Sequence, residues 1–360
     1  MKLAGYYRNK GFEVTLKTDY ANLQNYDKVF ISKVFTKTKV PGNILCLPNV
    51  SYGGTGFFYS NAPSLPCGIE HSFPYYELYS GYVNEQLKKG VKPSMLKCFT
   101  DYSVGYLTRG CFRRCGFCVN KSYERCVANS FIEEFYDKNR KKVMLLDDNI
   151  MAHPNWMMYF EGLQGLGKPF CFKQGIDIRL ITPYFAQMID RAKYDGDLIF
   201  AFDDIADTEQ IERKLAMFRE YSNKGVMMYL FCGYDRDNLY GNGFWLSDIE
   251  SIFKRLAIIG KHKVKPYLMR YEKYHESPYA GLYKSLATYC NAGGISKVVS
   301  FSEFCENQRS KGKNKNKPCS AWRYYADFLQ RHPHFETRFF NVRYFKGKGN
   351  GKNNGNIERM

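Results

Sequence analysis

"LTRGCFRRCGFCVN", residues 107–120, places Cys111, Cys115 and Cys118 on one short stretch in the pattern C-x3-C-x2-C. Three thiols this close can converge on a single metal centre, and thiolates suit zinc or an iron–sulfur cluster. The preceding "YLTRG" reads as the end of a strand, so the cysteines fall on a loop at a carboxyl end, where α/β proteins place their chemistry. Structural zinc normally closes its tetrahedron with four protein ligands, commonly as two spaced pairs. Only one compact triad exists here, although Cys98 or Cys126 could fold back as a fourth ligand. If neither does, a cubane held at three irons leaves its fourth iron open.

Outward from the triad, short apolar runs alternate with segments of helical period. Strands are expected near 103–108, 142–147, 169–173, 198–203, 226–232 and 264–269. Helices are expected at about 130–139, 155–165, 183–194, 208–222, 246–259 and 279–291. Thr182 and Pro183 open one of them as a cap residue followed by proline at the first helical position. Such alternation argues for parallel strands with right-handed crossovers, six units forming an open barrel or a wound sheet.

With the aromatic Phe117 just before its last cysteine, the triad resembles the signature of radical SAM enzymes, and the resemblance covers about 102–295. It implies an α/β fold with a partial (β/α)6 barrel, and a [4Fe-4S] cluster held by Cys111, Cys115 and Cys118. S-adenosylmethionine (SAM) would chelate the open iron. Its reductive cleavage would give a 5′-deoxyadenosyl radical that abstracts hydrogen from an unidentified substrate, with electrons from a donor such as flavodoxin or ferredoxin. The resemblance further implies SAM contacts at Phe117, at Asp147, Asp148 and Asn149 after the second strand, and at Gln174, Asp177 and Arg179 after the third. Asp203 after the fourth strand would bind ribose hydroxyls, and Gly233 after the fifth would let adenine approach the backbone.

The residues themselves allow these roles without requiring them. Carboxylates beside an ammonium make physical sense, but Asp147, Asp148 and Asn149 also suit a helix cap. Asp177 and Arg179 alternate with Ile176 and Ile178 and so share one face of an extended segment. A guanidinium fork there could hold a carboxylate or close an ion pair. Arg109, Arg113 and Arg114 would lower thiol pKa values beside the triad or stand as solvated loop charge.

Residues 1–60 read as a reduced Rossmann-like α/β segment, with a polar helix start, then strands at 12–16 ("FEVTL") and within 28–35 ("KVFISKVF"). "YGGTGFF" at 52–58 falls short of the full dinucleotide fingerprint. Residues 61–101 carry several prolines and little periodicity, as an extended linker would. The order of α/β piece, linker and triad resembles the cobalamin-binding branch of radical SAM proteins. That branch's cobalamin-ligating members carry an Asp-x-His-x-x-Gly motif early in the domain, whereas the first histidine here is His71. No cobalamin is expected, nor a second cluster.

Residues 296–345 are expected to form a carboxyl-terminal cap and 346–360 a disordered basic tail. The chain carries a formal charge of +18, and residues 311–360 hold 12 Lys or Arg against 3 Asp or Glu. Tyr324, Tyr325, Phe328, Phe339, Phe340, Tyr344 and Phe345 could stack on unpaired bases or form the core of the cap. "YYADFL" has helical spacing and "TRFFNVRYF" strand-like alternation. Nucleic acid is therefore a candidate partner, and a non-catalytic nucleic-acid-binding protein with a structural zinc site is the alternative function. The nine scattered cysteines are expected as buried small hydrophobes. With no signal peptide and no apolar run of the ~20 residues a membrane span needs, a soluble, cytoplasmic chain without a membrane partner is expected.

Overall fold

The structure is a computed structural model that describes residues 1–311 and 318–345. The chain divides into two compact units, one of Met1–Gln174 with Lys193–Asp195, the other of Gly175–Ala192 with Gly196–Met360. Among the described residues no helix is long and apolar enough to cross a membrane.

In the first unit, β1 (Val29–Ser32) and β2 (Val50–Gly53) pair in parallel with Val29 opposite Val50. The expected strand at 12–16 does not form. Val14 and Leu16 are half-buried between exposed Glu13 and Thr15, but no neighbouring strand offers them a ladder. The main sheet is parallel, in the order β3-β6-β7, built from β3 (Tyr102–Gly105), β6 (Lys142–Leu145) and β7 (Phe170–Phe172). Between β3 and β6, β4 (Thr108–Arg109) and β5 (Val127–Ala128) form a short antiparallel ribbon that brackets the cysteine loop. The helix Trp156–Gly165 returns the chain from β6 to β7 and lays Phe160 against Phe172, ring centroids 5.1 Å apart.

Two expectations for this unit fail for identifiable reasons. The helix at 130–139 shrinks to one 3-10 turn, Ile132–Glu134. "FIEEF" buries Phe135 completely, but Asp137 then accepts the Asn139 amide at 2.8 Å, an Asx turn that competes with helix propagation. The stretch 61–101 is not an extended linker. It contains the helix Ser80–Lys88 and seals the outer edge of β3. Tyr76 is 2% exposed; its hydroxyl receives the Val104 amide at 2.8 Å and donates to the Phe135 carbonyl at 2.7 Å. Buried Arg140 donates to the carbonyls of Phe99 (2.8 Å), Tyr102 (3.1 Å) and Tyr76 (3.3 Å). An edge that would otherwise expose backbone donors is thereby covered.

The second unit holds a parallel sheet of β8 (Leu198–Ala201), β9 (Val226–Cys232) and β10 (Lys265–Arg270), with β9 central. The helices Pro183–Arg191, Thr208–Tyr221, Asn242–Lys261 and Ala280–Asn291 match expectation within a few residues. Thr182 caps the first of them, its hydroxyl accepting the Phe185 amide at 3.1 Å.

The carboxyl-terminal cap is part of this unit and uses the helices Phe301–Gln308 and Ser320–Arg331. "TRFFNVRYF" is not a strand, because adjacent Phe339 and Phe340 are both buried, which a strand's alternation forbids. A π-helical turn, Glu336–Phe340, brings both inward. Phe340 lies 5.1 Å from the rings of Phe253 and Phe301 and 5.6 Å from Phe328. Tyr325, Tyr344 and Phe345 are also buried, so of the seven aromatics considered for base stacking only Tyr324 is exposed. Residues 312–317 of the basic run and the basic tail 346–360 lie outside the described residues.

Candidate functional site

Where β3 ends, the chain turns through Tyr106 and Leu107 into the cysteine loop, and two carboxylates from the end of β6 hold that turn. Asp147 accepts the amides of Leu107 (3.3 Å) and Thr108 (2.5 Å) and the Thr108 hydroxyl (2.7 Å). Asp148 accepts the Gly110 amide at 2.8 Å. Burial pushes the Asp147 carboxyl up to about 6, against the pull of its hydrogen bonds from Thr108 and Leu107. At 1% exposure and with both oxygens accepting from backbone amides, Asp147 holds the turn into the loop. Asp148 likewise turns an oxygen to the loop backbone rather than leaving both open.

Asn149, the third residue of this group, reaches the triad itself. Its Nδ2 donates to Cys111 Sγ at 3.2 Å, and its Oδ1 is buried with no hydrogen-bond partner. Cys111 Sγ also accepts the Arg113 amide at 3.3 Å, and Cys118 Sγ accepts the Asn120 amide at 3.4 Å. Such N–H···S contacts stabilise charge on sulfur. Cys111, Cys115 and Cys118 are all partly exposed. Among the described residues no three His, Cys, Asp or Glu side chains, the triad included, stand grouped as a bound metal ion would require. The donor chemistry nonetheless fits a cluster: three accessible thiols on one anchored loop, with a buried, unsatisfied amide oxygen on a side chain that touches one of them.

The thiols weighed as a fourth ligand differ. Cys98 is exposed on the short helix Lys97–Thr100, whereas Cys126 is buried and its thiol pushed up to about 11 by that burial. The isolated cysteines are mixed: Cys126, Cys232, Cys290 and Cys305 are buried as expected, Cys171 and Cys319 are partly exposed, and Cys46, Cys67 and Cys98 are exposed, Cys46 just after a one-turn helix and the other two within such helices.

The arginine beside the triad is tied down. Arg109 stacks 3.3 Å from the Tyr106 ring centroid and donates to Glu70 Oε1 at 3.2 Å, where Lys2 also binds at 3.1 Å. Burial alone would raise the Glu70 pKa, but Lys2 and Arg109 hold it below the usual carboxylate range. Phe117 is half-buried, and its carbonyl lies 3.5 Å from the Tyr59 hydroxyl. Gln174, past β7, is exposed.

In the second unit Asp177 and Arg179 bind each other, but the segment is not the extended one expected: Asp177 caps the 3-10 turn Ile178–Leu180 and accepts the Arg179 amide at 3.1 Å. Arg179 Nε reaches Asp177 Oδ1 at 2.8 Å and its Nη1 reaches Asp207 Oδ2 at 2.7 Å. Asp203 follows β8 after one intervening residue, Phe202. Burial pushes its carboxyl up to about 6; Arg255 and Arg179 pull it down, Asp177 and Asp207 push it further up. Gly233 adopts φ +78 after β9 and gives its amide to Asp248 at 2.8 Å. Asp248 also accepts the Tyr283 hydroxyl at 2.6 Å.

Sequence reasoning missed Arg255, which is 1% exposed and donates through Nη1 to the carbonyls of Phe202 (2.7 Å) and Phe231 (2.8 Å). It ties together the carboxyl-end backbone of β8 and β9, beside Asp203. The signal was present: Arg255 lies three residues after Ile252 and four before Ile259, on the apolar face of its helix.

The chain matches no family model, no curated protein and no solved structure. The functional reading therefore rests on its own residues.

Proposed function

We propose that the protein is a radical SAM enzyme in which Cys111, Cys115 and Cys118 hold a [4Fe-4S] cluster and SAM is bound at its open iron. The partial (β/α)6 barrel is the finer fold reading that belongs to this proposal. It is supported by the chain order of strand–helix units and by parallel pairing in both three-stranded sheets.

The observation that carries the proposal is Asn149. Its amide nitrogen is committed to Cys111 while its oxygen is buried without a donor, and an orphaned buried acceptor costs about 1–3 kcal/mol unless a ligand supplies the missing hydrogen. The ammonium of a methionyl group is such a donor. When bound and reduced, the cluster supplies the electron for sulfonium cleavage. The chain's own residues hold and orient. Asp147 and Asp148 fix the backbone leading into the loop, the amides of Arg113 and Asn120 support the sulfurs, and Asp203 offers a carboxylate suited to vicinal hydroxyls. Convergence of the three sulfurs on one cluster is part of the proposal, as is electron supply by a protein such as flavodoxin or ferredoxin.

Anaerobic reconstitution with iron and sulfide, followed by reduction with SAM and assay for 5′-deoxyadenosine, tests it. A brown chromophore with iron and sulfide in about equal amounts and SAM cleavage that Cys115→Ala abolishes are expected. One tightly held, colourless zinc per chain, or full cleavage by Cys115→Ala, would overturn it.

A further inference from the structure

With the carboxyl-terminal aromatics turned into core, a different part of the chain has the composition of a nucleic-acid surface. Between Asp27 and Glu70 there is no acidic residue, while Lys28, Lys33, Lys37 and Lys39 all fall in that interval. The same interval displays aromatic rings. Phe35 is 74% exposed, Tyr52 42%, Phe58 38% and Tyr59 40%. Tyr52 and Phe58 are stacked on each other at 5.8 Å with an interplanar angle of 2°.

The glycines of "YGGTGFF" hold these groups together. Gly54, at φ +102, brings the chain so close to the end of β1 that a Cβ there would sit 2.4 Å from the Lys33 carbonyl oxygen. A Cβ on Gly56 would meet the Phe35 carbonyl oxygen at 2.9 Å. The Gly56 amide donates to the Lys33 carbonyl at 2.9 Å, and the Thr55 hydroxyl to that of Val34 at 3.1 Å. Lys33 Nζ stands 5.0 Å over the Phe57 ring. Tyr59, a non-glycine residue at φ +49, extends the surface toward the carbonyl of Phe117 in the cysteine loop. That loop adds Arg113, Arg114, Lys121 and Arg125, of which Arg114 pairs with Glu124 at 3.7 Å.

Exposed parallel rings within a lysine-bearing interval that contains no Asp or Glu suit one occupant above others. Bases have π-faces that stack on such rings, and phosphates meet the lysines. We infer that residues 28–59 form a stacking surface for the unpaired bases of a single-stranded nucleic acid, beside the cysteine loop. This names the substrate class for the reading of the triad given above and rests on it only for catalysis.

Fluorescence anisotropy of the full chain with short labelled single-stranded RNA, single-stranded DNA and duplex of the same sequence tests the inference. Single strands should bind more tightly than duplex, with affinity falling as salt rises. A preference for RNA over DNA would assign part of the contact to the 2′-hydroxyl, and equal binding would assign it to bases and phosphates; both support the surface. Tyr52→Ala with Phe58→Ala should weaken binding roughly tenfold or more. Lys37→Gln with Lys39→Gln, both at exposed positions, should weaken it and flatten the salt dependence. Circular dichroism checks that each variant is folded. No binding at low salt, preference for duplex, or unchanged affinity in both variants would overturn the inference. So would loss of affinity on deletion of 346–360 alone, or binding of an acidic redox protein in place of oligonucleotide. The binding assay contains no iron or SAM and the cleavage assay contains no nucleic acid, so failure of either reading leaves the other measurable.

Discussion

Gly110 donates its amide to Asp148 at 2.8 Å, one residue before Cys111. Gly110 sits at φ +88, and a Cβ on it would lie 2.4 Å from Tyr123 Cβ and 2.5 Å from the Arg125 carbonyl oxygen. The entry to the cysteine loop is therefore shaped by a residue without a side chain and fixed by a carboxylate from the segment that follows β6. Gly110→Ala should strain the loop by about 1–3 kcal/mol and lower the iron retained per chain after reconstitution, measured by colorimetric iron assay.

Removal of Asp147 leaves two amides and a hydroxyl without their acceptor in a buried setting. Asp147→Ala is expected to cost about 2–4 kcal/mol of stability, read as a lower denaturant midpoint for the first unit. Asp147→Asn, which keeps one acceptor oxygen, should lose less.

Asn149→Ala removes both the contact to Cys111 and the unsatisfied oxygen. With one hydrogen bond to a charged group worth about 1.5–3 kcal/mol, SAM affinity of the reconstituted protein should fall roughly tenfold or more, measured by equilibrium dialysis. Stability should change little, because loss of the Nδ2 contact to Cys111 is offset by removal of the buried, unpartnered oxygen.

The Asp203 carboxyl is raised to about 6, mainly by burial, from an unfolded value near 3.9. A group raised in the fold is favoured when protonated, so its penalty is absent below about pH 4 and develops as pH rises through about 6. Asp203→Asn should therefore be more stable than the parent at pH 7–8, and the difference should vanish near pH 4. Paired unfolding curves across that range check the sign.

Phe340→Ala opens the centre of the aromatic cap, where a completely buried ring meets Phe253, Phe301 and Phe328. A loss of about 3–5 kcal/mol is expected, seen as a lower unfolding midpoint or as precipitation. Tyr324→Ala, at an exposed ring, should cost far less.

The sequence by itself determined the alternation of strands and helices from 142 onward, because apolar runs, helical spacing and the Thr182–Pro183 cap are local signals that burial then reinforces. It also determined that three thiols share one loop after a strand. Only the tertiary structure decided what those groups meet. Asp147 and Asp148 lie some forty residues from the backbone they hold, Tyr76 and Arg140 join β3 from both directions in the chain, and Arg255 reaches carbonyls on two strands. Hydrogen bonds of that kind depend on distance in space, which no local pattern records. The aromatic segments show the same division: "YYADFL" and "TRFFNVRYF" carry rings suited to a core or a stacking surface, and only packing against Phe253 and Phe301 turned most of them inward. Near the amino terminus, Tyr52 and Phe58 found no comparable partner element and kept their rings at the surface.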